Sequence, residues 1–102
     1  VLDLLRKAQS RSVSGYQDSV WGVHFTVNEI TLFAGTTYTS RNQLFDEIHT
    51  LSSGITVSGL ADVIFQFGAG ETANIGDVVL TSNATGETIT IQISERGRIQ
   101  RQ

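Results

Sequence analysis

The fold of this chain of 102 residues is decided by its first stretch, Val1-Leu2-Asp3-Leu4-Leu5-Arg6-Lys7-Ala8-Gln9-Ser10-Arg11-Ser12-Val13-Ser14. Apolar and small side chains recur there at helical spacing and form one stripe, with Leu2 at its border: Val1, Leu4, Leu5, Ala8 and Ser12. The side chains of Asp3, Arg6, Lys7 and Ser10 project the other way. This pattern predicts an amphipathic helix over residues 1–14. Gly15 supplies its C-terminal stop.

The start of this helix lacks a capping residue. A helix normally opens on Ser, Thr, Asp or Asn, whose side chain accepts a hydrogen bond from an otherwise unpaired amide. Here the first residue is Val1, an apolar residue already in phase with the stripe, and no Met precedes it. We therefore expect the helix to continue upstream, so that the 102 residues are the soluble remainder of a longer chain.

Composition predicts one folded domain over residues 1–102, because 39% of the residues are hydrophobic and only 17% are charged. Ten glycines between short apolar runs indicate many turns and therefore β structure. The absence of cysteine excludes a disulfide framework and a thiolate nucleophile. A formal charge of −3 argues against nucleic acid as a partner of the whole surface.

Period-two alternation predicts strands after the helix. The first covers residues 20–27, with Trp21, Val23, Phe25 and Val27 on one face. Another covers residues 87–94, with Ile89, Ile91 and Ile93 inward. Further strands are expected over residues 30–33, 55–57, 63–67, 77–82 and 98–101, with a long surface loop over 34–44. The chain therefore reads as α+β: an N-terminal amphipathic helix packed on an antiparallel β-sheet head, which forms the β-rich region 20–101.

The apolar stripe of the helix must be buried against another element, because an isolated helix of about 14 residues is only marginally stable in water. The inward faces of the strands provide one. We therefore predict helix–sheet packing of Leu2, Leu5 and Ala8. Their expected contacts in the sheet are Val23, Phe25, Phe65 and Ile91.

The search for catalytic groups predicts no enzyme, no cofactor and no metal site. The two histidines, His24 and His49, do not form an H-x-x-x-H pair, and no serine lies in a G-x-S-x-G turn. Gly68-Ala69-Gly70 lacks the lysine of a phosphate-binding P-loop. An enzyme would become plausible again only if His49 were buried beside two acidic groups in a cleft.

Three of the seven basic residues lie within six positions near the C-terminus: Arg96, Arg98 and Arg101. One interpretation is that they protect a terminal edge strand from unwanted pairing. The other is that they contact nucleic-acid phosphates, since Arg96 and Arg98 would share a face if this end were extended.

Taken together, the chain resembles type IV pilin-like proteins, in particular the H-type minor pseudopilins of type II secretion and the related minor pilins of type IV pili. The matching stretches run nearly from end to end: Leu4-Leu5-Arg6-Lys7-Ala8-Gln9-Ser10-Arg11, Trp21-Gly22-Val23-His24-Phe25, Leu51-Ser52-Ser53-Gly54-Ile55-Thr56-Val57, Ile64-Phe65-Gln66-Phe67, Ile89-Thr90-Ile91 and Gly97-Arg98-Ile99.

This resemblance implies a structural subunit and not an enzyme. Its N-terminal helix, lacking here its hydrophobic half, would anchor the subunit in the bacterial inner membrane before assembly. The helix would then enter a periplasmic or extracellular filament, with the β head on the surface or tip. The implied partners are the other pilins or pseudopilins of the same filament.

Some minor pilins of this group bind DNA through a C-terminal Gly-Arg-x-Arg motif. Here Gly97-Arg98-Ile99 is followed by Gln100, and Arg101 comes one residue late. A shift of one residue reverses the face of an extended chain. This departure argues against carrying the motif over to the present chain. DNA contact through Arg96, Arg98 and Arg101 is the alternative function.

Overall fold

The computed structural model describes residues 2–68 and 70–101. It contains one α-helix, α1 (Leu2–Ser14), which agrees with the predicted helix except at Val1, which lies outside the described residues. Eight strands follow in the described chain: β1 (Trp21–Phe25), β2 (Glu29–Ala34), β3 (Glu47–Thr50), β4 (Ile55–Gly59), β5 (Asp62–Phe65), β6 (Gly76–Ser82), β7 (Thr88–Ile93) and β8 (Ile99–Arg101). None of the described helices is long and apolar enough to cross a membrane.

The strands form two antiparallel sheets, which confirms the α+β class but corrects the expectation of one sheet. The first sheet has the order β3-β2-β1-β5 and the second the order β4-β6-β7-β8. The chain leaves the second sheet at Gly59, whose φ is 99°. A Cβ atom there would lie only 2.2 Å from the carbonyl oxygen of Asp77, so the turn from β4 to β5 requires glycine.

Helix α1 packs on the sheets through its predicted stripe. Leu5 and Ala8 are fully buried. Both belong to one hydrophobic cluster with residues of the two sheets, including the expected Val23, Phe25, Phe65 and Ile91. Leu2 is partly buried at the margin of this cluster. The helix and both sheets therefore share a single core.

Two polar side chains of α1 also join the helix to the rest of the molecule. Ser12, fully buried, donates a hydrogen bond from Oγ to the carbonyl oxygen of Trp21 (3.0 Å) and accepts one from the Trp21 amide (2.6 Å). Gln9 Nε2 donates to the carbonyl oxygens of Gly70 (3.0 Å) and Gly97 (2.6 Å). The buried serine is thus satisfied, as burial of a polar group requires.

Two apolar side chains expected in the core are exposed. Val27 is 65% exposed, because β1 ends at Phe25 and the Thr26 amide bonds to the Glu29 carbonyl oxygen (2.9 Å) in a tight turn. Ile89 is 38% exposed, whereas Ile91 and Ile93 are 2% exposed. The reason is register: β8 pairs with β7 only from Ile91 to Ile93, so Ile89 lies beyond the end of that pairing.

The buried stripe of α1 gives a stability prediction. Replacing Leu5 by Ala removes a fully buried side chain and should lower the free energy of unfolding by about 2–5 kcal/mol. Leu44→Ala is the matched control: Leu44 is 89% exposed, so its truncation should change stability by less than about 0.5 kcal/mol. Urea unfolding of both variants is the measurement. A loss below about half a kilocalorie for Leu5→Ala would show that the helix does not dock there.

Candidate functional site

The face of α1 beside β3 carries two cations that share one carboxylate. Lys7 Nζ lies 2.7 Å from Glu47 Oε1, and Arg11 Nη1 lies 2.7 Å from Glu47 Oε2. The hydrogen bond from Lys7, assisted by Arg11, lowers the pKa of Glu47 below its ordinary value of 4.5, against a smaller opposing effect of burial. Glu47 thus ties edge strand β3 to the helix.

The two acidic residues that precede His49 are both engaged elsewhere. Glu47 binds the helix. Asp46 accepts one bifurcated hydrogen bond from the Arg41 Nε–H, with Nε 3.1 Å from Oδ1 and 2.9 Å from Oδ2. His49 itself is exposed on β3. The structure therefore does not place His49 in a buried cluster with two carboxylates, which is the arrangement that would have indicated an enzyme. Among the described residues, no group of three or more His, Asp or Glu side chains is arranged to hold a metal ion.

The outer face of the first sheet holds an aromatic layer that the sequence did not predict. Phe33 is fully buried, although it lies on the face opposite the helix. Its ring passes over Gly22, where a Cβ atom would lie 2.9 Å from Phe33 Cζ. Tyr38, from the loop 35–46, meets Phe33 edge-on with ring centroids 5.5 Å apart. The long loop is therefore packed across the sheet and covers Phe33.

The same loop contacts His24 on β1. The Tyr38 ring stacks on the imidazole with centroids 3.7 Å apart and planes 13° apart. The imidazole Nδ1 is hydrogen-bonded to Asp62 Oδ1 on the neighbouring strand β5. On the other face of Tyr38, the Arg41 guanidinium lies 3.8 Å from the ring centroid. Sequence spacing alone could not reveal this arrangement, because it depends on pairing residues 24 and 62 across two strands.

The three C-terminal arginines are exposed, but the structure does not align them. Arg96 lies in the turn between β7 and β8, closed by the Gly97 amide donating to the Ser94 carbonyl oxygen (2.9 Å). The extended conformation in which Arg96 and Arg98 would share a face is therefore absent. Arg101 pairs with Ile91 across the strands, and this places its side chain on the inner face of the second sheet. Arg98 precedes β8, and its amide donates a hydrogen bond to Ser94 Oγ (3.2 Å).

The surroundings of these arginines also differ. Arg96 borders a polar cleft of about 570 Å³ together with Glu71 and Glu95. Arg101 borders a different, more apolar groove of about 310 Å³, beside Ile55 and Ile89. Within residues 2–68 and 70–101, none of the three arginines has a carboxylate within ion-pair distance, whereas Lys7, Arg11 and Arg41 each have one.

Comparison with known proteins adds no relative. No protein-family model, no curated protein and no solved structure matches the chain.

The Glu47 contact gives a pH-dependent prediction. Because the folded pKa of Glu47 lies below that of the unfolded chain, the unfolded state binds the proton more readily. The stabilisation should be complete above pH 4.5 and be lost as the pH falls through the lower folded value. We expect Glu47→Gln to lower stability at pH 7 by at most about 1 kcal/mol, since the carboxylate is partly exposed.

Urea unfolding at pH 7 and pH 3 measures this effect. The difference in free energy of unfolding between wild type and Glu47→Gln should be smaller at pH 3 than at pH 7. Glu87→Gln removes the same charge at an exposed position and should show no such difference at either pH. A gap of equal size at both pH values for Glu47→Gln would contradict the proposed role of the carboxylate.

Proposed function

We propose that the chain is a structural minor subunit, a minor pilin or pseudopilin, of a type IV pilus or a type II secretion pseudopilus. The observation that supports this proposal is the way α1 packs on the two sheets. One stripe of the helix, centred on Leu5 and Ala8, is buried against both antiparallel sheets. The opposite face, with Asp3, Arg6 and Ser10, stays exposed. A pilin-like packing of helix and head is the arrangement that this geometry supports.

In such a subunit the helix must transmit force between the filament and the head. The joint in this chain suits that task, because it combines apolar burial with directional bonds. Gln9 donates hydrogen bonds to two loops that flank the second sheet, at Gly70 and Gly97. Ser12 donates a hydrogen bond to Trp21 of β1 in the first sheet. A pull along α1 would therefore load both sheets together and not one hairpin alone.

This proposed role implies where the subunit is located and which proteins it contacts. The apolar part of the helix expected upstream of residue 1 would hold the subunit in the inner membrane before assembly. It would then pack among the helices of the other pilins or pseudopilins, in a periplasmic or extracellular filament. The β head would lie on the filament surface or at its tip.

The coding sequence upstream of Val1 gives the first test. We expect a short leader, a Gly-Phe-type cleavage site and about 20 apolar residues running into the helix. Expression of that gene product with a prepilin peptidase should give a shortened chain that co-sediments with sheared filaments. A product with a catalytically dead peptidase is the control. An initiator Met directly before Val1, or a product neither shortened nor found with filaments, would contradict the proposal.

DNA binding by the head is the second candidate function. The observation that favours it is that Arg96, Arg98 and Arg101 are exposed and lack carboxylate partners within the described residues. Arginines free of internal pairing are available to phosphate groups. The separate surroundings of Arg96 and Arg101 mean that one DNA segment would have to follow the β7–β8 turn to reach them both.

A gel-shift assay with duplex DNA at low salt tests this alternative. Arg96→Ala/Arg98→Ala should weaken binding and reduce the slope of log affinity against log salt by about one for each arginine–phosphate interaction removed. Arg6→Ala removes an exposed charge from α1 and should leave the slope nearly unchanged. No binding by the wild-type head at low salt would dismiss DNA binding.

A further inference from the structure

Among the described residues, the edge of β3 differs from the other three sheet edges, which are closed or blunted. At the edge of β5, the outward Ile64 amide donates to Asn74 Oδ1 (2.9 Å). At the edge of β4, the outward Val57 amide donates to the Val27 carbonyl oxygen (3.2 Å). Strand β8 spans only three residues and ends in Arg101, and a charge at such a position discourages edge pairing. Strand β3 has β2 as its neighbour on one side and no described strand on the other.

The hydrogen-bond pattern determines which backbone groups of β3 face outward. The Leu51 amide donates to the Asn28 carbonyl oxygen (2.8 Å), and every second residue back along β3 pairs with β2 in the same phase. In an antiparallel ladder, the residues between these pairs turn their amide and carbonyl groups to the other side. Ile48 and Thr50 therefore present their backbone groups to the outer edge of the first sheet.

The side chains along this edge are accessible to a partner. Ile48 is 60% exposed on the face of the sheet away from the helix. Glu47 and His49 alternate with it and lie on the helix-facing side. Lys7 and Arg11 use only two of the roughly four acceptor positions of the Glu47 carboxylate. The carboxylate can therefore accept a further hydrogen bond.

We propose that β3 pairs antiparallel with β3 of a second copy of this chain, about a two-fold axis at Ile48. In this register Ile48 faces Ile48 of the second copy in a hydrogen-bonded pair, which satisfies the outward backbone groups. Glu47 then faces His49 of the second copy in a closely spaced pair, where the neutral imidazole donates its N–H to the carboxylate. The dimer goes beyond the proposed filament role and does not depend on it.

Other registers are less complementary. Outward groups must meet outward groups, so the next register along the strand is centred on His49. It would place the two imidazoles against each other, Ile48 opposite Thr50, and Glu47 opposite the apolar Leu51. The register centred on Ile48 instead pairs two apolar side chains on one face and a donor with an acceptor on the other.

The helices leave room for this pairing. Helix α1 packs chiefly on β1 and β5, so β2 and β3 of each copy separate the two helices. At about 4.8 Å per strand, the helices would lie about 20 Å or more apart. The two four-stranded sheets would then form one sheet of eight strands. We expect a weak dimer, because four strand residues a side bury less than the roughly 1,200 Å² of a standard interface.

Disulfide trapping tests the register, because the chain contains no cysteine. Ile48→Cys places the Cα atoms of the two cysteines about 5.5 Å apart, within the range that a disulfide spans. Thr50→Cys is the matched control on the same exposed edge, because its two cysteines would be four residues out of register, about 13 Å apart. On mild oxidation we expect Ile48→Cys to form linked dimer about tenfold faster than Thr50→Cys. In concentrated urea the two rates should be equal.

Sedimentation equilibrium tests the association itself. Between about 10 µM and about 1 mM, the mass of the wild-type chain should rise from 11.1 kDa towards twice that value. Ile48→Lys sets two like charges opposite each other and should raise the dissociation constant about tenfold or more. Ile75→Lys changes an equally apolar side chain, 56% exposed outside β3, and should leave the dissociation constant unchanged.

Three results would overturn the proposal. The first is a wild-type chain that stays monomeric up to about 1 mM. The second is a dimer that Ile48→Lys and Ile75→Lys weaken equally or not at all. The third is a linking rate for Ile48→Cys no higher than for Thr50→Cys. If Ile48→Lys fails to fold, as judged by urea unfolding, the wild-type mass and the two cysteine variants decide the matter.

Discussion

The burial of one stripe of α1 is the constraint on which the other parts of this structure depend. A helix of this length has little stability of its own in water, so its folding free energy must come from contact with the sheets. Leu5 and Ala8 supply the apolar part of that contact. Ser12 and Gln9 fix the rotation of the helix, because their hydrogen bonds reach Trp21 in the first sheet and Gly97 beside the second. Two four-stranded sheets, each with an apolar face, are thereby joined around one element.

Around this core, polar contacts fasten both edges of the first sheet. Glu47 binds edge strand β3 to the helix through two cations. At the opposite edge of the same sheet, Asn74 Oδ1 accepts the Ile64 amide (2.9 Å) and Thr72 Oγ1 donates to the Ile64 carbonyl oxygen (2.7 Å). Asn74 and Thr72 occupy positions where another strand could otherwise pair. The sheet is thus fastened at both edges, and its outer face is covered by the loop that carries Tyr38.

Periodicity predicted the features that depend on local sequence. The helix, the alternation around Trp21 and the buried position of Ile91 follow from spacing alone. The division into two sheets did not, because it depends on β4 pairing with a strand about 20 residues later and on a turn at Gly59. For the same reason the contact of His24 with Asp62 was unpredictable, since it requires the register of strands distant in sequence. The Arg96–Arg98 expectation depended on an extended chain, and the turn at Gly97 removes that condition.

For a filament subunit, the decisive property is that helix and head act as one mechanical unit. Native-state hydrogen exchange in low denaturant measures this directly, because it gives an opening free energy for each amide. We predict that the amides of Ala8 and Ser12 exchange through openings with the same free energy as those of Val23 and Ile91, within about 1 kcal/mol. Helix amides that exchange through an opening several kcal/mol easier than that of the sheets would contradict it, because α1 would then be only loosely attached to the head.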